Sequence, residues 1–212
     1  VAIVFPRTDV MGFCGYTPEA TPLRLLSRQD LSFEASGVSH GKDYGPGLWL
    51  GDFVTEGLSH RRATEFQAIM HSLDGVIGSF EACDLRKPYP AAYPTGAFDD
   101  AATLAAVAGR AMRLDDLAPG FVLTTGDYLS FDYGDDDELR ALHQVMETVT
   151  ADGGGLTPLF EVRPAIRPGY TIGAAITLKN PMGIFRLMPD SVVPRMMSAT
   201  QTQIAFKAVQ DA

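Results

Sequence analysis

Basic residues are scarce in this sequence where a nucleic-acid reader would concentrate them. From Asp99 to Leu178 there are 13 acidic residues against five arginines and no lysine, and the whole chain carries a formal net charge of −9. An acidic surface repels phosphate and offers no cationic footprint, which argues against specific DNA or RNA binding. Cysteine is almost absent: Cys14 and Cys83 stand 69 positions apart and match no metal or redox spacing, so they read as two free thiols in a reducing compartment. No apolar run approaches the roughly 18 residues of a membrane helix, and Val1 to Pro6 lack the charged region and long apolar core of a signal peptide. The expectation is a protein made in the cytoplasm, without membrane insertion.

Motifs for chemistry are missing as well. His40, His60, His71 and His143 show no paired-ligand spacing. The acidic run Asp132, Asp135, Asp136, Asp137 and Glu138 lacks the ligand order and closing glutamate of a calcium loop, and reads as a solvated turn. The serines lack a Gly-x-Ser-x-Gly elbow, and no base can be assigned to Cys14. Gly153, Gly154 and Gly155 precede no Lys-Ser or Lys-Thr pair, so a β-turn explains them better than a phosphate cradle. Two carboxylates could cleave a glycoside, yet 26 acids single out no pair. The residues therefore predict no enzyme, no metal and no cofactor.

What is present is the material of a globular β protein: 46% hydrophobic and 20% charged residues, enough to bury a core. Short β-branched and aromatic runs cut by Gly, Pro and Asp predict strands over Val1–Phe5, Leu23–Phe33 with one buried face, Leu48–Leu58, Val76–Cys83 and from Ala101 to Leu114. They continue with Phe121–Thr125, Tyr128–Phe131, Leu156–Val162, Thr171–Leu178, Gly183–Met188 and the C-terminal alternation of Ile204, Phe206 and Ala208. Leu139–Val149 fits a helical face and a strand equally. One helix is predicted over 60–73, with Ser59 as its cap, Phe66, Ile69, Met70 and Leu73 on one face, and Gly75 as its stop. The glycine-rich stretch Gly37–Gly47 reads as a loop. Pro88, Pro90 and Pro94 make Arg86–Gly96 an extended link.

The acidic excess is confined to one contiguous stretch, a composition shift that marks a boundary. The order of the segments resembles that of a family of tailed-bacteriophage virion proteins, the distal tail proteins. The likeness runs through the Trp49 strand, the helix from His60 to Leu73, Gly75, the Phe80 strand leading to Asp84, Gly126-Asp127-Tyr128, Ala151-Asp152 within Val149 to Gly155, Arg163-Pro164-Ala165-Ile166-Arg167 and Phe185-Arg186-Leu187. It spans about residues 45 to 209, and departs in the longer first 45 residues and in Asp84-Leu85 where Asp-Pro is usual.

The resemblance implies a mainly β fold with one α-helix: a β-sandwich-like domain built from both chain ends (1–98 plus 179–212) with an inserted small acidic β-barrel (99–178). It also implies a ring, typically hexameric, that joins the tail tube protein to the tip or baseplate hub protein, assembled in the host cytoplasm and carried in the virion. Trp49, Phe185, Arg186 and Leu187 are the expected interface anchors, being aromatic, arginine and aliphatic groups of the kind that dominate interfaces; core filling is the competing expectation for them. A head-to-tail connector or tail terminator is the nearest alternative. A carbohydrate-binding barrel using Tyr89, Tyr93 and Tyr133 and a two-carboxylate glycosidase are the others.

Overall fold

The computed structural model describes residues 3–15, 21–134 and 139–211. In chain order a single 3-10 turn, Met11–Phe13, is followed by β1 (Thr21–Leu26), β2 (Gln29–Phe33), β3 (Ser39–Asp43), β4 (Leu48–Val54) and β5 (Leu58–Ser59). Next come α1 (His60–Ser72) and β6 (Ser79–Ala82), then β7 (Thr103–Ala108), β8 (Ala111–Asp115), β9 (Val122–Leu123), β10 (Tyr128–Tyr133), β11 (Leu139–Val145), β12 (Val149–Thr150) and β13 (Phe160–Arg163). The chain ends on β14 (Gly183–Leu187), β15 (Val193–Ser198) and β16 (Gln201–Gln210). The fold is mainly β with one α-helix.

The ten-residue β16 is the spine of the first sheet, whose order is β1-β4-β16-β14-β6, with β5 and β15 also paired to β16. Its alternation sets the core: Ile204, Phe206 and Ala208 are buried on one face while Lys207 is exposed on the other. The helix lies across that face. Ser59 accepts the Arg62 amide at 3.5 Å, capping its start, and the spacing of Ala63, Phe66, Met70 and Leu73 puts all four into the core. Phe66 meets Phe206 at 5.8 Å between ring centroids, and Phe53, Phe80 and Phe185 complete the cluster.

The second sheet, β10-β11-β13-β8-β7, uses only residues between the two groups that build the first. It curls until its edge strands are joined by the segment around residues 173–177. There Leu104 donates to Ala174 at 2.9 Å, Ile176 to Ala102 at 2.8 Å, and Ser130 and Thr177 exchange hydrogen bonds at 3.0 and 2.8 Å, so that the sheet rolls into a small half-barrel. Leu104, Met112, Leu114, Leu129, Val145, Phe160, Val162 and Leu178 fill it. Gly109, at φ 65°, makes the tight turn between β7 and β8.

Several sequence expectations are corrected. Residues 3–5 form no strand; the backbone instead bridges at Arg7, whose amide donates to Ser79 while its carbonyl accepts from Glu81, both at 2.9 Å. The 37–47 loop contains β3, which pairs with β2 along its whole length. The buried face expected through Phe33 stops at Leu25, which is half-buried against the core, since every residue of β2 is exposed. The strand expected over Val76–Cys83 is confined to β6, and Val76 and Ile77 lie exposed in the turn before it. Thr171–Leu178 contributes isolated bridges rather than a regular strand, and β15 had no expectation attached to it.

Candidate interaction surface

Three of the four expected interface anchors are inside the chain's own core. Trp49, on β4, is 2% exposed; its indole N–H donates to the Leu142 carbonyl at 2.7 Å and its ring meets Tyr128 edge-on at 5.5 Å. Leu142 and Tyr128 belong to the barrel strands, so Trp49 joins the two sheets rather than reaching a partner. Phe185 sits among Phe53 and Phe80, and Leu187 is buried beside them. Arg186 is half-exposed, but its guanidinium is committed to Asp211 at 2.6 Å and to the carbonyls of Val76 and Ile77. The anchor role is corrected accordingly: these residues hold the monomer together.

Other polar groups do the same. Arg140 on β11 reaches Asp132 at 2.6 Å and Glu81 of the first sheet at 2.7 Å, a second tie between the sheets. The buried Asp127 carboxylate accepts from the Ala91 amide at 2.9 Å and the Thr124 amide at 2.7 Å, fastening the proline-rich link to the barrel; burial raises its pKa against those two bonds. His143 is fully buried, with Nδ1–H donating to the Pro164 carbonyl at 2.9 Å, and desolvation pushes its pKa down to about 4. Among the described residues no group of three or more His, Cys, Asp or Glu side chains is placed to hold a metal ion. Of the acidic run, Asp135 to Glu138 lie outside the described residues.

The aromatic platform of the carbohydrate reading is also absorbed. Tyr133 is buried, and Tyr93 stacks on Phe121 at 4.4 Å while its hydroxyl accepts from the Val122 amide. Tyr89 is half-buried, its ring beside Gly96. Cys14 and Cys83, remote in sequence, line one pocket together; burial raises their thiol pKa values to about 12 and about 11, which makes them poor nucleophiles.

The surface, by contrast, is conspicuously apolar in three places. The β2–β3 hairpin buries no residue on either face and displays Leu31, Phe33 (71% exposed) and Val38. The β15 strand is exposed throughout and shows Val193, Met196 (75%) and Met197. The third place is made of Ile3, Val4 (73%), Phe5, Val76 and Ile77, with Phe5 lying against Gly78. In the first two, sequence reasoning missed β3 and β15 because neither strand alternates: Ser39–Asp43 has no β-former to announce it, and Val193–Ser198 mixes proline, arginine and methionine. Comparison with family models and with curated proteins finds no match to this chain.

Proposed function

We propose that the chain is a non-enzymatic structural subunit of a phage tail, which assembles into a ring, typically of six copies, joining the tail tube to the tip or baseplate hub. The observation that carries this reading is the β2–β3 hairpin. A two-stranded hairpin is marginal in water unless something packs on it, and this one displays Leu31 and Phe33 on β2 and Val38 in the turn, while its strands bury nothing. Covering Leu31 and Phe33 alone is worth about 3–6 kcal/mol by area, an ordinary gain for an interface and a wasted one for a monomer. The ordered series of segments resembling distal tail proteins supports the rest of the reading, including a position at the tail tip of the virion. Among the described residues no helix is long and apolar enough to cross a membrane.

The test is the native mass by light scattering, with negative-stain images of the same fraction, for the wild type and for Leu31→Ser/Phe33→Ser. The wild type should form closed rings at high concentration, and the variant should remain monomeric with unchanged circular dichroism. A wild type that stays monomeric at every concentration, with no rings in the images, overturns the proposal. Labelling the protein's position on particles separates the tail tip from a connector or terminator site at the head.

A further inference from the structure

A cleft of about 260 Å³ opens between the base of the β2–β3 hairpin and the barrel, lined by Arg28 and Asp43 on one side and by Arg110 and Arg163 on the other. Arg163 is committed to Glu161 at 2.6 Å. Arg28 and Arg110 are exposed, and among the described residues neither guanidinium has a hydrogen-bonded or ion-paired partner. Asp43 accepts from the Gly45 amide rather than from an arginine. Two unpaired arginines thus face one opening in a chain of net charge −9.

The strand β8 gives this a direction. Arg110 precedes its first residue, while Asp115 ends it and Asp116 follows, so a cationic and an anionic corner sit at opposite ends of one five-residue strand, roughly 16 Å apart. Asp116 is exposed and bonds only to the Thr103 hydroxyl at 2.7 Å; Asp115 caps the Asp116 amide at 2.8 Å, and neither has a basic partner among the described residues. Opposite charges at the two ends of one body suit a head-to-tail contact, the kind that generates rings when the rotation closes.

Resting on the ring reading above, we infer that the cleft receives a second copy of this chain: the Asp115-Asp116 corner of one subunit seats against Arg28 and Arg110 of the next. Acidic copies repel one another in general, and this pairing fixes the one orientation in which they attract.

The test uses two full-length variants, Arg28→Glu/Arg110→Glu and Asp115→Lys/Asp116→Asn; asparagine suits residue 116, whose φ is 62°. The arginine variant should melt close to wild type, because neither guanidinium has a hydrogen-bonded or ion-paired partner among the described residues, whereas the acidic variant loses the Asp115 bond to the Asp116 amide and should melt a few degrees lower while keeping its circular dichroism. Each variant alone should need about tenfold or more higher concentration to assemble, and an equimolar mixture should recover rings of alternating subunits. Wild-type rings with an unaffected arginine variant overturn this inference but leave the ring reading standing. Loss of assembly without recovery in the mixture overturns the head-to-tail pairing. A wild type that never assembles overturns both.

Discussion

Replacing Trp49 by phenylalanine separates a residue that holds the monomer together from one that holds a ring together. Trp49 is buried where the first sheet meets the barrel, and its indole N–H donates to the Leu142 carbonyl at 2.7 Å. Phenylalanine keeps an aromatic face for Tyr128 but removes that donor, and an orphaned buried acceptor costs about 1–3 kcal/mol. The smaller ring also leaves a void of roughly 40 Å³, worth about 1 kcal/mol at the usual cost per cavity volume. The expected loss is about 2–4 kcal/mol, which at a slope of about 2–3 kcal/mol per molar lowers the urea midpoint by about 1 M. Far-ultraviolet circular dichroism must follow the transition, since the substitution removes the chain's one tryptophan. At concentrations that saturate assembly, the native mass should be unchanged. A variant whose monomer loses less than about 1 kcal/mol while its assembly is abolished would refute the assignment, and return Trp49 to the interface.

Three further outcomes follow from local structure. His143, held by burial near pKa 4 in the folded protein against the ordinary imidazole value of 6.5, takes up its proton more readily when unfolded. Stability is therefore full above pH 6.5 and falls by up to about 3 kcal/mol as the pH drops toward 4; urea midpoints from pH 7.5 to 4.5 measure this, and a profile as steep in His143→Gln would contradict it. Gly155 has φ 90°, and an added Cβ would lie 2.3 Å from the Leu117 carbonyl, whereas Gly153 has open space around it. Gly155→Ala should thus cost more than about 2 kcal/mol in the same assay and Gly153→Ala less than about 0.5. Cys14 and Cys83, with thiol pKa values near 12 and 11, should react with a disulfide reagent at pH 8 at least about 100-fold more slowly in the folded protein than in urea; equal rates would show the thiols to be open.

The helix was legible in the sequence because two independent signals agree on it, the capping serine at 59 and the spacing of Phe66, Met70 and Leu73. The C-terminal strand was legible through the strict alternation of Ile204, Phe206 and Ala208. Leu139–Val149 was ambiguous because its apolar residues satisfy both periods; the ladder to β10, running from Tyr128↔Gln144 to Tyr133↔Leu139, decides for a strand, and such pairing is a tertiary fact that local pattern does not carry. In the β2–β3 hairpin the strand at Leu31 and Phe33 was legible, but β3 was hidden and the burial of β2 misjudged, because with both faces exposed no burial pattern was imposed on the pair. For Trp49, Phe185 and Leu187 the sequence left core and interface open, because apolar residues that fill a core and those that fill an interface have the same composition. Only the burial of Trp49, Phe185 and Leu187 distinguishes them.

On the proposed assembly, the hairpin's tip and base have separate tasks. Leu31 and Phe33 near the tip offer contact area whose value is nearly independent of orientation, since burial of apolar surface is non-directional. Arg28 and Arg110 at its base offer little area but a strong preference for where an acid must sit. Removing the apolar pair should weaken every contact alike, while reversing the arginines should change which subunits pair. The alternating mixture detects the second effect and is blind to the first, so the two substitutions test different physics at the hairpin and at the β7–β8 turn that faces its base. A protein whose hairpin served only as a surface loop would answer neither experiment.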